Sequence, residues 1–98
     1  MTNEAEALIH RVYDALRDVI DPEIGLDIVT LGLVYDVALD GDAVDVTFSL
    51  TTPGCPMEHV IRGGILQSVE QVEGISAVRA NLVWEPRWDP SKVAPGLL

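Results

Sequence analysis

Ninety-eight residues, 48% of them hydrophobic, suffice for one compact core and leave no room for a second, so residues 1–98 are expected to form a single domain. Sixteen acidic residues against six basic ones give a formal charge of -10, which opposes binding to nucleic-acid phosphates and to anionic membrane surfaces. No apolar run reaches the roughly 20 residues that span a bilayer, the first residues lack the regions of a secretory signal, and a lone cysteine suits a reducing compartment, so the expected location is the cytoplasm. Lys92 is the one lysine beside five arginines, a balance that fits either a high-salt host or an ordinary solvated acidic surface.

Ala5, Leu8, Ile9, Val12, Leu16, Val19 and Ile20 recur at helical spacing and predict a first amphipathic helix from Glu4 to Ile20, with Asn3 as its N-cap and Glu6 three residues later. Pro22 disfavours helical geometry at Asp21 and so ends it, handing over to the turn-rich Asp21-Pro22-Glu23-Ile24-Gly25 and an irregular apolar segment, Leu26 to Gly32. Leu33, Tyr35, Val37 and Leu39, then Val44, Val46, Phe48 and Leu50, alternate with less apolar neighbours around Asp40-Gly41, which predicts a β-hairpin. A two-residue turn at Asp40-Gly41 would pair Leu39 with Asp42, Val37 with Val44, Tyr35 with Val46 and Leu33 with Phe48. Met57, Val60, Ile61, Ile65, Val69 and Val72 predict a second helix that closes at Glu73-Gly74. Ile75 to Trp84 reads as a third strand with Val78, Ala80, Leu82 and Trp84 on one face, followed by an extended tail, 85–98. The order α-β-β-α-β predicts an α+β fold, a two-layer sandwich in which two helices cover one face of a three-stranded sheet. The third strand's neighbour stays open.

The chemistry concentrates between the second strand and the second helix, in Thr51-Thr52-Pro53-Gly54-Cys55-Pro56-Met57-Glu58. Pro56 suits the first helical position and places Cys55 at the N-cap. There the free amide N–H groups and the positive end of the helix dipole favour a thiolate, the form that binds metal. Thr51 and Thr52 are positioned to hydrogen-bond to that sulfur or to an anion beside it, and Gly54 permits close approach. The competing reading of Cys55 is an inert, buried small hydrophobe. Glu58, as third helical residue, is expected to cap the Cys55 amide, and its charge partly opposes a thiolate. His59 follows Cys55 by four residues, either one helical turn away as a partner or simply solvated, and His10 has no sulfur or acidic cluster near it in sequence. One cysteine and two histidines cannot close a four-ligand site, so any metal or cluster would be held across subunits, with a partner or transiently.

Asp21 and Glu23 flank Pro22 and offer either carboxylates to a metal or partner, or turn chemistry, and the same pair of readings applies to Asp27. Gly63-Gly64 within a helix costs about 1 kcal/mol per residue relative to alanine and implies close backbone approach there. Trp84 and Trp88 bracket Glu85-Pro86-Arg87, so that one is expected to close the core and the other, in the proline-bordered tail, to form an exposed contact, with tail docking and partner binding both open for Trp88.

Three segments together, Asp21-Pro22-Glu23-Ile24-Gly25-Leu26-Asp27-Ile28-Val29-Thr30-Leu31-Gly32-Leu33-Val34, Leu50-Thr51-Thr52-Pro53-Gly54-Cys55-Pro56 and Leu82-Val83-Trp84-Glu85-Pro86-Arg87-Trp88, resemble the SufT/PaaD-like family of iron-sulfur cluster assembly factors over nearly the whole chain. That family has relatives in the eukaryotic cytosolic cluster-targeting complex and occurs fused to P-loop cluster-carrier ATPases. The resemblance implies the same two-layer fold, Cys55 as the key thiol and metal ligand, and Thr51, Thr52, Asp21 and Glu23 around the same functional face. It implies no catalytic reaction, a transient or labile iron-sulfur cluster or iron in place of a tightly bound cofactor, and iron-sulfur carrier or scaffold proteins and client apoproteins as partners. A homodimer would bring two thiolates, still short of the four ligands of a [2Fe-2S] cluster. The chain lacks the C-terminal cysteines of some phenylacetate-pathway members, which favours a SufT-like general role, and it carries Arg87 where many relatives have a second proline.

The leading expectation is therefore an accessory or adaptor protein of cluster assembly or transfer that acts through Cys55. The alternative is a PaaD-like interaction module for one enzyme complex, such as an aromatic-ring oxygenase, with Cys55 structural. A thiol enzyme is disfavoured by the absence of a second, resolving cysteine. A KH-type nucleic-acid module lacks its Gly-x-x-Gly loop here.

Overall fold

The computed structural model describes residues 4–51 and 57–93. The expected N-cap Asn3, together with Thr52 and Cys55, lies outside the described residues.

Helix α1 spans Glu4–Leu16 and buries Val12 and Leu16 completely. It stops four residues before the expected end, and Pro22 is not what stops it. The amides of Arg17, Asp18 and Val19 turn to the carbonyls of Asp14, Ala15 and Leu16 at 3.3, 3.1 and 3.1 Å, a tightened final turn that satisfies orphan carbonyls and releases the chain. Val19 remains in the core, whereas Ile20, read as part of the helical stripe, is 47% exposed. Ile20–Asp21 (β1) instead pairs antiparallel with Leu26–Asp27 (β2), a short ladder within the stretch expected to be irregular.

Strands β3 (Val34–Asp40) and β4 (Ala43–Phe48) form the expected hairpin in a different register. Leu39 faces Val44 and Val37 faces Val46, two residues away from the predicted pairing. The turn residues are Gly41 and Asp42, closed by Asp40 opposite Ala43. Gly41 has φ 64°, and a positive φ at the first central position is what a type II′ turn asks of glycine, so the glycine rather than the Asp-Gly pair sets the loop. A shift of two keeps every side chain on its original face, which is why the apolar pattern was compatible with both registers. At the far end Val34 faces Phe48 and Asp36 faces Thr47, leaving Tyr35 as the extra residue of a bulge.

Helix α2 (Met57–Glu70) buries Ile61, Ile65 and Val69, each four residues apart, and β5 (Ala77–Leu82) follows. β5 pairs with β4, in parallel, so the sheet order is β3-β4-β5 and α2 is the crossover that parallel pairing requires. Val37, Val44, Val46, Phe48 and Ala80 point toward the helices and make one core with Val12, Leu16, Ile61, Ile65 and Val69. The opposite sheet face is polar, with Asp45 receiving hydrogen bonds from Arg79 Nε at 2.6 Å and Nη2 at 2.8 Å. Gly64 lets α2 close on the chain that leaves α1, since a Cβ there would lie 2.9 Å from Val19 Cγ1, while Gly63 faces open space.

Two further apolar residues lie elsewhere than expected. Val60 is 54% exposed on α2, and Trp84 is 41% exposed because the strand ends at Leu82 and the chain turns away after Val83 N–H donates to the Phe48 carbonyl. Nor does the tail extend freely over its described part. The Trp88 indole donates to the Leu31 carbonyl at 2.6 Å, Asp89 caps a single 3-10 turn at Pro90–Lys92, and Val93 is buried. Gly32, at φ 75°, makes room for this return, as a Cβ there would collide with the Lys92 carbonyl oxygen.

Candidate functional site

Parallel pairing places the carboxyl ends of β4 and β5 at one edge of the sheet, and α2, running back along the sheet, starts at that edge. In sheets of this kind the crevice beyond the strand ends is the natural place for a ligand, because side chains from separate segments converge there on loops held by rigid elements. The edge is built from Leu50 and Thr51 after β4, and Trp84, Glu85, Arg87 and Trp88 after β5, which together line a cleft of about 350 Å³. Leu50 is buried, Thr51 is half-buried, and Trp88 is fixed by its bond to Leu31. The Tyr35 hydroxyl, swung out by the bulge, donates to the Pro86 carbonyl at 2.7 Å and pins the segment between the tryptophans.

Of the expected site residues Cys55, Thr51, Thr52, Asp21 and Glu23, Thr51 is the one among the described residues that lines this cleft, beside the two tryptophans also noted from sequence. Cys55 belongs to the connection between Thr51 and Met57, two residues before the first residue of α2, and lies with Thr52 outside the described residues. Asp21 and Glu23 sit in the β1–β2 turn. Asp21 is 3% exposed, its Oδ1 accepts the Glu23 amide at 2.9 Å, and its carbonyl accepts the amides of Ile24 and Gly25 at 3.2 and 2.7 Å, so this carboxylate already organises its own loop. Asp27 does the same for Thr30, accepting its amide at 2.9 Å and its hydroxyl at 2.5 Å. Leu8 packs toward Gly74 and Val19 toward Gly64, which makes α1 and α2 antiparallel and carries β1 along the first half of α2. Asp21 and Glu23 therefore approach from the helix side, and neither lines the cleft.

Glu58 was expected to cap the Cys55 amide. That amide lies outside the described residues; the Glu58 carboxylate pairs with Arg62 at 3.2 Å, and that guanidinium also donates to the Ala80 carbonyl and lies 5.6 Å from the Phe48 ring centroid. His59 and His10 are exposed. Among the described residues no group of three or more His, Cys, Asp or Glu side chains is arranged to hold a metal. Sequence reasoning paired the two tryptophans but did not place Glu85 and Arg87 in a cleft with them; the aromatic pair bordered by prolines was the available signal.

The same arrangement recurs in known proteins. A crystal structure of a domain of unknown function from Bacillus anthracis superposes with a TM-score of 0.87 at 37% identity, covering 92% of this chain and 87% of that one. A conserved hypothetical protein from Thermotoga maritima gives 0.79 at 39% identity, over 90% and 87%. In sequence, the chain is 38% identical over 90 residues to the Fe-S protein maturation auxiliary factor YitW of Bacillus subtilis, covering 91% of this chain and 88% of that protein. It is 44% identical over 71 residues to the Fe-S protein maturation auxiliary factor SufT of Staphylococcus aureus, covering 71% and 81%. A Deinococcus radiodurans iron-sulfur cluster carrier protein is 38% identical over 66% of this chain, which corresponds to 19% of the carrier's length. Residues 9–82, from the first helix through the cysteine loop to the last strand, match the family described as iron-sulfur cluster assembly protein, and the chain belongs to that family.

Proposed function

We propose that this protein is an accessory factor in the assembly of iron-sulfur clusters or their transfer to client proteins, and that Cys55 is the residue through which it acts. The observation that carries this reading is the family match over residues 9–82, which contains the strand–loop–helix unit bearing Cys55. Chemistry supports it: Cys55 precedes a 14-residue helix by two residues in sequence, and a thiol at such a helix start is favoured as thiolate by the helix dipole and free amides. A single thiolate leaves most coordination positions of a cluster to other ligands, which suits a cargo that must be released. Thr51, Thr52, Asp21 and Glu23 complete the proposed functional face. Carrier or scaffold proteins and client apoproteins are the proposed partners, by analogy with the relatives that bear those names. The reading is of a binding and hand-over protein with no catalytic step.

Anaerobic protein mixed with ferrous iron and sulfide tests the role of the thiol. Wild type is expected to retain iron and develop the visible absorption of a cluster, and Cys55→Ala to lose both. Equal retention by the two proteins would remove Cys55 as a ligand. Unimpaired maturation of client enzymes in cells that carry only Cys55→Ala would remove it from the function altogether.

A further inference from the structure

The cleft at the sheet edge carries two charges that the fold does not use. Arg17, Arg62 and Arg79 each pair with a carboxylate, and the Lys92 ammonium lies 5.6 Å from the Tyr35 ring centroid. Among the described residues, Arg87 and Glu85 take part in no ion pair or hydrogen bond, although they stand two positions apart on the same segment and line the same cleft. Arg11 is likewise without a carboxylate partner among the described residues, and what distinguishes Arg87 is that its cleft also carries both indoles. The remaining lining is the apolar Leu50, Trp84 and Trp88, together with Thr51.

From this combination we infer that the cleft binds a free α-amino acid with an apolar side chain, its carboxylate on Arg87, its ammonium on Glu85 and its side chain between the indoles and Leu50. Three physical arguments select that class. A ligand with one charge would leave either Glu85 or Arg87 partly desolvated without a partner, which is costly, whereas a zwitterion answers both. A net-neutral ligand also adds nothing to the repulsion that an acidic protein imposes on anions. The volume of about 350 Å³ is sufficient for one amino acid. A chain terminus differs in kind, since a C-terminus has no α-ammonium and an N-terminus no α-carboxylate.

The chain's two tryptophans both line the cleft, so intrinsic fluorescence of the full protein reports on it. Leucine and methionine are expected to shift the emission saturably below about 10 mM. Glycine, which lacks the apolar group, isocaproate, which lacks the ammonium, and 3-methylbutylamine, which lacks the carboxylate, should each bind at least about tenfold more weakly. Arg87→Gln and Glu85→Gln should each weaken leucine by a similar factor while leaving the urea midpoint unchanged, because both side chains are exposed. The inference is overturned if leucine and methionine give no saturable change, if the single-charge analogues bind equally well, or if N-acetyl-leucine or leucinamide binds more tightly than leucine, which would mark a site for chain ends. Iron and sulfide retention by Cys55 is measured separately, so either result leaves the cluster reading to its own test.

Discussion

Gly63 and Gly64 are identical residues at neighbouring positions of α2, yet alanine should act oppositely at the two. At Gly63 a Cβ meets nothing within 4 Å, so Gly63→Ala gains only the helix propensity difference, about 1 kcal/mol of stability. At Gly64 the new methyl would come within 2.9 Å of Val19, a buried β-branched side chain whose χ1 freedom is restricted. Gly64→Ala should therefore show no gain or a loss in urea midpoint, and adding Val19→Ala should relieve the clash. A second residue-scale effect is electrostatic. Hydrogen bonds from Arg79 hold the Asp45 carboxyl below the usual carboxylate range, and those from Ser91 do the same for Asp89. Because the folded pKa lies below the unfolded one, the stability these groups contribute is complete above the ordinary aspartate value of about 3.9 and is lost as pH falls through the lowered values. The difference in melting temperature between wild type and Asp45→Asn should thus shrink steadily between about pH 5 and pH 2. A constant difference would mean that the asparagine variant loses packing rather than a charge.

Over its described part the returning tail is held by the Trp88–Leu31 and Tyr35–Pro86 hydrogen bonds and by buried Val93, and Gly32 makes room for it. Gly32→Ala would place a methyl against the Lys92 carbonyl in a backbone conformation that disfavours any side chain, and should cost about 1–3 kcal/mol. If the strain is relieved by detaching the tail, Trp88 loses its bond to Leu31, its emission moves to the red, and cleavage after Arg87 by trypsin accelerates. Unaltered emission with unaltered cleavage would place the strain elsewhere. This element also shows the reach of periodicity. The two helices and the hairpin were legible because Val12 and Leu16, or Val44, Val46 and Phe48, repeat with the period of the structure they enter. The register was not, since a shift of two preserves every face and the choice fell to one glycine's φ. The two-residue ladder of Ile20–Asp21 with Leu26–Asp27 is too short to carry any period. The cleft was not legible either, because Thr51 and Trp84 meet only through the parallel pairing of β4 with β5, and alternation within a strand says nothing about its neighbour.

For the molecule as a whole the dominant quantity is charge. Ten net negative charges occupy a body of 35 × 28 × 23 Å, and their mutual repulsion opposes the compact state. At about 10 mM ionic strength the Debye length of roughly 30 Å is comparable to the whole protein, so nearly every acidic pair contributes to that repulsion. At about 0.15 M it falls to roughly 8 Å, and only near neighbours still interact. The melting temperature should accordingly rise with added sodium chloride and level off by a few tenths molar, with the attractive Arg79–Asp45 and Arg62–Glu58 pairs losing less than the distant repulsions release. Potassium chloride should give the same curve, because screening depends on ionic strength and not on the cation's identity. A melting temperature that keeps climbing into molar salt would exceed what screening can supply and would show that the six-to-sixteen balance of basic to acidic residues reflects a protein adapted to concentrated salt. A melting temperature that falls with salt would mean that the paired charges outweigh the net excess, and that the acidic surface does not destabilise the fold.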